Sequence, residues 1–573
     1  MFPLHDPLDD TLRAELSAYD DLTAALLVRR GITTRTEAET FLNPSFDDHL
    51  HDPLVMTDMP KAARRLADAI LAGEKIAVWS DYDCDGVPGG VLMHDFLEKT
   101  GAQFENYIPH RHHEGYGVNV TGVETLVRNE VTLIITVDSG ITDHEPVARA
   151  KALGADVIIT DHHLPSETLP DAFAVVNPHA RPDETYPFRG LCGSGVVWKL
   201  VCATLAVEPR LREKAPVGWE KWLLDMVGLA TIADMVPLIG ENRLLATYGL
   251  LVMRKSPRLG LQKLCRTIRT DQRTITEDDV GFMIAPRVNA ASRMGDARDA
   301  FNLFTTHDES TAEALSKKLE SANRKRKAEA GAITRAVHTR LKERGEMRSV
   351  IALGDPQWRP SLLGLVAGNI ADEYERSVFL WGREGSGKLK GSMRSGGGIH
   401  ALELMRATED VFTDFGGHAA AGGFTVLDDA VFFLEDALVD AHGRLAPIED
   451  DLAHKADVMI TTREVTPTLL AHLERLAPFG IENPKPLFLF TEVSVRAISP
   501  FGKNGEHVKV RVASRDDPSA GVDAVTFFAK GALARTVAAL DERSLVHLLA
   551  HIERDTFSRG NPIRLRLLDI KTA

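Results

Sequence analysis

Short apolar runs at residues 75–80, 131–137 and 156–160, with further strand candidates at 104–108 and 172–177, alternate with segments of helical periodicity. Near-continuous apolar runs of this length read as strands covered on both faces. The alternation up to about residue 240 predicts a parallel sheet with right-handed crossovers. An amphipathic helix at 61–72 leads into the first strand, and a helix at 220–233 delivers Asp234 at its end. Upstream, residues 1–50 form an acidic helical segment with patterning at 11–29 and 35–42. Downstream, residues 241–345 read as almost wholly helical. From Thr311 to Arg344 there is no proline and a single glycine, Gly331. This predicts a long helix connecting two bodies. A second α/β body is expected over 349–445, with strands at 349–353 and 377–380, a helix at 361–373, and glycine-rich turns at 385–398 and 416–423. Pro478, Gly480, Pro484 and Pro486 then introduce short β-rich runs at 485–499, 506–513, 521–528, 544–552 and 563–570. Several short strands in succession fit a small barrel.

Three of the first five strands end in the same chemistry. Residues 75–80 run into Asp81-Tyr82-Asp83-Cys84-Asp85-Gly86, residues 131–137 into Asp138-Ser139-Gly140, and residues 156–160 into Asp161-His162-His163. Parallel strands would set these groups along one sheet edge, where open α/β sheets hold ligands. Crowded carboxylates and imidazoles repel or waste solvation unless a cation lies among them, so the set reads as a metal site. Asp81 and Asp83 would share a face of an extended segment, with a turn at Gly86 letting both reach inward. Asp138, on a middle strand, could bridge two ions. His162 offers a nitrogen ligand suited to Mn²⁺ or another transition ion. Asp161 and His163 are expected to fix the tautomer of His162. A single strand-end aspartate is more often a helix N-cap, but three such strand ends make independent caps a poor account.

The chain has 573 residues, and at ~150 residues per domain this suggests three or four units. Cys84, Cys192, Cys202 and Cys265 form no close pair, so neither a zinc ribbon nor a disulfide framework is indicated. The first ten residues lack a signal-peptide pattern, no apolar run approaches the ~20 residues of a membrane helix, and a cytoplasmic protein is expected. Net charge is −15, from 67 Lys+Arg against 82 Asp+Glu. The sum alone argues against a nucleic-acid partner. Its distribution weakens that argument: residues 1–60 hold 12 acids and 4 bases, whereas residues 321–345 hold 8 bases and 2 acids. An acidic protein can present a basic channel, because the local field governs phosphate binding. Arg324-Lys325-Arg326-Lys327 fits a solvated helix face and a nucleic-acid contact equally well.

The motifs at 81–86, 137–140 and 161–163, followed by Asp234-Met235-Val236-Pro237-Leu238, resemble in order the four motifs of the DHH phosphoesterase superfamily. Within it, the chain is similar to the bacterial RecJ family of single-strand-specific 5′→3′ DNA exonucleases. Pro109 to Gly117 resembles the family segment after the second strand, and Ala285 to Met294 its Pro-Arg-x-Asn-Ala motif. Gly391 to Ser395 and Phe415 to Gly422 resemble the two DHHA1 motifs, and Ala477 to Pro484 the segment opening an OB domain. The likeness covers roughly residues 50–570. It implies a DHH catalytic domain over 51–240, a helical region with connecting helix over 241–345, a DHHA1 domain over 346–450 and an OB-like domain over 451–573. There are two departures. Trp79 and Ser80 stand where some members place a His, which would weaken one metal position. Trp358-Arg359-Pro360-Ser361 stands where members often carry Trp-His-Pro-Gly.

The resemblance implies Asp81, Asp83, Asp138, His162 and Asp234 as ligands of two Mn²⁺ or Mg²⁺ ions. His163 would be a ligand, a supporting group or the proton donor to the leaving 3′ oxygen. Arg111, Arg287, Arg293 and Arg394, with Asn289 and Ser395, would hold the terminal 5′ phosphate and the next phosphates, since Arg forks match phosphate oxygens. His418, inside a glycine-rich turn, would lie near the scissile phosphate. Phe501, Lys503, His507 and Lys509 are candidate contacts on the barrel, and Phe527-Phe528 reads as core. The implied substrate is single-stranded DNA in repair and recombination, with a helicase and a single-strand-binding protein as candidate partners, a monomeric chain and no membrane. A DHH phosphodiesterase of short oligonucleotides or cyclic dinucleotides would leave the barrel unexplained. An idle DNA-binding scaffold would have lost its metal ligands, which are intact here.

Overall fold

The computed structural model describes residues 2–573 apart from 384, 386, 397, 447–454, 503–506, 516, 518–520, 529–530 and 556–562. The chain forms two compact units, residues 44–331 with 478–483, and residues 1–43, 332–477 and 484–573.

In the first unit, β1 (Lys75–Ser80), β2 (Gln103–Tyr107), β3 (Leu133–Val137), β4 (Asp156–Thr160) and β5 (Ala174–Val176) make a parallel sheet in the order β2-β1-β3-β4-β5. Ser80 pairs with Val137, and Val137 with Thr160. Three adjacent strands therefore end level and release Asp81, Asp138 and Asp161 side by side. Ile76, Val78, Leu133 and Ile135 are buried on one face, and Ala77, Trp79, Ile134 and Ile159 on the other. Helices covering both faces explain why the strands read as unbroken apolar runs. Trp79 is committed to the second face, stacked on Tyr107 with ring centroids 4.1 Å apart. Ser80 lies beneath the helix Gly86–Thr100, where a Cβ on Gly90 would come within 2.6 Å of its hydroxyl.

The helix expected at 220–233 begins as a 3₁₀ turn, Trp219–Leu223, and continues as Leu224–Ala233, with Asp234 as its C-cap. It crosses the helix Gly240–Met253 so closely that a Cβ on Gly228 would lie 2.6 Å from the Gly249 Cα. A π-helical turn, Asp279–Ile284, runs into the helix Ala285–Met294. The long connecting helix is continuous over Glu309–Arg344. Residues 478–483, which the sequence placed at the opening of the barrel, belong to this first unit. Ile481 accepts a hydrogen bond from the Leu238 amide at 2.8 Å, and Phe479 donates to Glu277 at 3.2 Å. This segment braces the turn that follows Asp234.

The second unit holds a mixed sheet and a barrel. β6 (Val350–Gly354), β7 (Ser377–Arg383), β8 (Leu389–Arg394), β9 (Phe412–Gly417) and β10 (Ala421–Val426) run in the order β6-β7-β8-β10-β9. The stretches expected as glycine-rich turns are strand at 389–394, 416–417 and 421–423, with a tight turn at 418–420 as expected. Their glycines serve close packing: a Cβ on Gly391 would lie 2.2 Å from the Phe424 ring. β11 (Val458–Met459), β12 (Phe488–Phe501), β13 (His507–Ser514), β14 (Gly521–Phe527), β15 (Leu545–Arg554) and β16 (Ile563–Thr572) form the last sheet, and a β12–β15 pairing closes it into a five-stranded barrel.

The N-terminal segment is part of this unit. Leu4 bridges Ala456, Phe2 packs with Leu487 and Leu549, and Arg29 donates to the Asp457 carbonyl at 3.3 Å. The helical pattern at 11–29 is broken, because Asp20 accepts from the Thr23 amide at 2.9 Å and starts a new helix, Asp21–Val28. Among the described residues no helix is long and apolar enough to cross a membrane.

Candidate metal centre and phosphate-binding residues

β1 ends in a tight turn. Asp83 Oδ1 accepts from the Asp85 amide at 2.8 Å and the Gly86 amide at 3.2 Å. A Cβ at Gly86 would meet the Asp81 carbonyl at 2.5 Å, so only glycine fits. Asp81 and Asp83 thus converge through a turn, not along an extended segment. Asp85 accepts from the Gly193 and Ser194 amides at 2.6 and 2.7 Å, fastening the start of the helix Gly193–Val207 to the same turn. Asn289 accepts from the Cys84 amide at 3.0 Å. That bond fixes the side chain and leaves its role as a phosphate contact to the Nδ2 donor.

Asp138 adopts a left-handed backbone with φ of 60°, a strained state that persists only where surroundings fix it. Its amide donates to the Thr160 carbonyl at 2.9 Å, and its carbonyl accepts from Tyr116 Oη at 3.2 Å. A Cβ on Gly193 would lie 2.8 Å from Asp138 Oδ1, so that helix start passes directly over the carboxylate.

Three ligand sets result, each with its donor atoms within 4.8 Å of one another: Asp81, Asp83 and Asp138; Asp138, His162 and His163; and Asp85, His162 and Asp234. Asp138 and His162 each belong to two sets. A carboxylate can bridge with its two oxygens, as Asp138 would; His162 reaches both of its sets through the single Nε2, 3.2 Å from Asp138 Oδ1 and 3.6 Å from both Asp85 Oδ2 and Asp234 Oδ2, and so would serve one ion. Asp85 is the residue the sequence analysis passed over. Its signal was the third acid of the first motif. Every set is complete without a His at position 79 or 80.

The buried atoms Asp81 Oδ1, Asp138 Oδ1 and His162 Nε2 have no hydrogen-bond partner. Burial pushes the Asp81, Asp85 and Asp138 carboxyls above their ordinary range, with neighbouring aspartates adding to the shift at Asp81 and Asp138. Burial, then Asp85 and Asp83, raise Asp234 to about 8. Burial holds His162 below its usual value and so favours the neutral, ligating ring. Orphaned acceptors, mutually repelling carboxylates and a neutral imidazole together fit divalent cations.

Asp161 hydrogen-bonds the ring of His163, and reaches the ring of His162 only through its charge. Its Oδ1 accepts from His163 Nδ1 at 2.8 Å and from the amides of His162 and His163 at 2.7 and 3.1 Å. Burial pulls the His163 value down, but the bond to Asp161 and its charge outweigh that and lift it to about 9. The His163 side chain is 47% exposed.

Arg111 lies over the Tyr82 ring, 4.7 Å from its centroid. Burial, then Arg111 and Arg326, press Arg293 down to about 10. Arg326, from the long helix, thus faces this cluster, whereas Arg324 and Lys325 pair along the helix with Glu320 and Glu329. Arg287 is buried and donates to Glu320 at 3.0 Å and to the Met283 carbonyl at 2.9 Å. That pairing makes it a tie between the helix Ala285–Met294 and the long helix. In the second unit, Arg394 pairs with Ala421 across β8–β10, Ser395 donates to the Ala420 carbonyl at 2.8 Å, and the His418 amide donates to the Ala421 carbonyl at 2.8 Å. One end of that sheet therefore carries all three. The Ser395 hydroxyl is spent on the Ile399 carbonyl.

On the barrel, Phe501, His507, Phe527 and Phe528 form one ring cluster, with Arg566 4.3 Å from the Phe527 centroid. Phe528 is 61% exposed, which corrects its reading as core. Lys509 lies 3.6 Å from Asp523, and Lys503 falls outside the described residues.

The chain matches the family models for the DHH family N-terminal domain over residues 75–231, the DHHA1 domain over 347–441 and the RecJ OB domain over 456–569. It is 36% identical to the single-stranded-DNA-specific exonuclease RecJ of Bacillus subtilis, over 88% of this chain and 63% of that protein, so it spans less than two thirds of that relative's length. It is 31% identical to RecJ of Dickeya dadantii, over 83% of this chain and 84% of the relative. The crystal structure of Thermus thermophilus RecJ in complex with Mn²⁺ is similar at a TM-score of 0.79 and 27% identity, covering 99% of this chain and 78% of the other. With three family models matched in order and relatives aligned over most of its length, this chain belongs to the RecJ family.

Proposed function

We propose that the chain is a metal-dependent exonuclease that degrades single-stranded DNA from its 5′ end and releases 5′ mononucleotides. The observation that carries this reading is the interlocking of three ligand sets through Asp138 and His162 beside the Arg111–Arg293 cluster. Relatives named single-stranded-DNA-specific exonucleases, and a solved relative holding Mn²⁺, support it. Asp81, Asp83, Asp138, Asp85, His162 and Asp234 would hold two ions, Mn²⁺ or Mg²⁺, with Asp138 between them. Such ions supply an activated water and neutralise charge on the phosphoryl group. His163, kept protonated by Asp161, gives a proton to the leaving 3′ oxygen. Arg111 and Arg293, with Arg326, fork the terminal 5′ phosphate and so set strand polarity. Arg394, with His418, contacts further backbone phosphates, and Ser395, whose amide and hydroxyl are held by the Ala420 and Ile399 carbonyls, shapes the strand end that carries them. The Phe501–His507–Phe528 surface with Arg566 stacks bases of the longer strand. The reading keeps the domain limits at 51–240, 241–345, 346–450 and 451–573, with 478–483 reassigned to the catalytic unit. A role in repair and recombination, cytoplasmic location, a monomeric chain and partnership with a helicase and a single-strand-binding protein belong to the same proposal.

The test is a time course on 5′- and 3′-end-labelled single- and double-stranded DNA with Mn²⁺, Mg²⁺ or EDTA. Release of labelled mononucleotide from the 5′ end of single strands only, abolished by EDTA and by Asp138→Ala, is expected. Attack from the 3′ end, or activity of the variant near wild type, would overturn it.

A further inference from the structure

The loop between β2 and the helix Val120–Arg128 carries Arg111, and nothing in its apolar patterning would hold an arginine in place. The structure shows what does. Glu114 Oε2 accepts from the His110 amide at 2.6 Å, while its Oε1 accepts from Tyr107 Oη at 2.5 Å. The Glu114 amide donates back to the His110 carbonyl at 2.8 Å, closing a single turn around Arg111. Tyr107 is rigid because its ring stacks on the buried Trp79. The far side of the turn is tied as well: His112 Nε2 lies 3.2 Å from the Arg293 carbonyl. Glu114 thus links a fixed ring at the end of β2 to the backbone on which Arg111 stands.

We propose that Glu114 is a positioning residue that aims the Arg111 guanidinium over Tyr82 and thereby sets the preference for a strand bearing a 5′ phosphate. This rests on the assignment of Arg111 and Arg293 to the terminal phosphate. A carboxylate suits position 114 because three donors meet it: the Tyr107 phenol, the His110 amide and, at 3.4 Å, Asn119 Nδ2. In Glu114→Gln one oxygen remains: with it turned to the His110 amide, Tyr107 can rotate to accept from Nε2, but Asn119 Nδ2, fixed because its Oδ1 accepts from the Gly122 amide, then faces a donor, and the charge that strengthens the other two ties is gone. Its cost appears wherever Arg111 is used and nowhere else.

The experiment compares kcat and KM for 5′-phosphorylated and 5′-hydroxyl single-stranded oligonucleotides with Mn²⁺, in the full-length wild type, Glu114→Gln, Tyr107→Phe and Arg111→Ala, with thermal unfolding confirming that each variant folds. Glu114→Gln should lower the phosphate-over-hydroxyl ratio of kcat/KM by about fivefold to tenfold, mainly through KM. Tyr107→Phe should lower it in the same direction and add little to Glu114→Gln in the double variant. An unchanged ratio in Glu114→Gln, or equal losses on both substrates, overturns the proposal. If Arg111→Ala keeps the ratio of the wild type, the assignment of Arg111 fails and the positioning role fails with it. If only Arg111→Ala loses the ratio, the assignment stands and the role of Glu114 alone is refuted.

Discussion

Arg287 and Arg293 sit six positions apart in one motif, and the structure gives them different work. Arg287 is buried against Glu320, whereas Arg293 is crowded by Arg111 and Arg326. Arg287→Ala removes the ties to Glu320 and the Met283 carbonyl, leaving Glu320 only its looser pairing with Arg324, and should cost about 1–3 kcal/mol of stability, measurable as a lower denaturant midpoint with unchanged KM per folded molecule. Arg293→Ala should do the opposite, raising KM for 5′-phosphorylated strands while relieving repulsion among guanidiniums. The pH response of the metal-free protein also belongs to single residues. Asp234 is raised from 3.8 to about 8 and His163 from 6.5 to about 9. Raised groups contribute stability that is full below the unfolded value and lost as pH rises through the folded one. In EDTA, stability should therefore fall from about pH 4 towards pH 9, through Asp234 first and His163 later. Because ligation requires deprotonated groups, Mn²⁺ should raise Tm more at pH 8 than at pH 5. A Tm shift of equal size at both values would contradict the ligand assignment of Asp234. Strand-end aspartates were legible in the sequence because their chemistry is incompatible with a buried edge unless something binds there. Asp85 was not, because an acid beside two others carries no mark of which helix start it will fasten.

Among the elements, the crossing of Leu224–Ala233 with Gly240–Met253 decides where Asp234 stands. A Cβ on Gly249 would come within 2.4 Å of the Gly228 Cα. Gly249→Ala should force the helices apart and destabilise the fold by about 1–3 kcal/mol. It should also weaken Mn²⁺ binding, read by calorimetry, although residue 249 touches no ligand. Unchanged Mn²⁺ affinity in the folded variant would show that the crossing does not set the metal site. The central parallel strands β1, β3 and β4 were readable because both faces are covered and their middle positions are almost all apolar. The strands β8, β9 and β10 were misread as turns, since glycine marks both a turn and a strand pressed against large rings, and only Phe424 and Met405 reveal which applies.

For the whole molecule, the barrel is not an appendage that can be cut away cleanly. Removing residues 455–573 also removes Ala456, on which Leu4 pairs, and the 478–483 segment that braces Leu238. Such a deletion should therefore impair the catalytic unit as well as strand binding. Phe528→Ala combined with Arg566→Ala is the cleaner probe. It should raise Kd for long single strands by about tenfold or more, since stacking contributes roughly 1–3 kcal/mol per base, with hydrolysis of the shortest oligonucleotides unchanged. Equal effects on long and short strands would count against the barrel as a binding surface.

The sequence by itself determined the parallel sheet, the level strand ends with their aspartates and His pair, the long helix and the barrel. Each follows from local patterning or from chemistry that tolerates few surroundings. Tertiary structure alone decided that Arg287 reaches Glu320 while Arg293 is crowded by Arg111 and Arg326, that Asp161 serves His163, that Asp85 comes within reach of His162 and Asp234, and that the N-terminal segment docks on the barrel. Those outcomes depend on which neighbour reaches a side chain from far along the chain. A long polar side chain, unlike an apolar run, carries no periodicity that announces its partner.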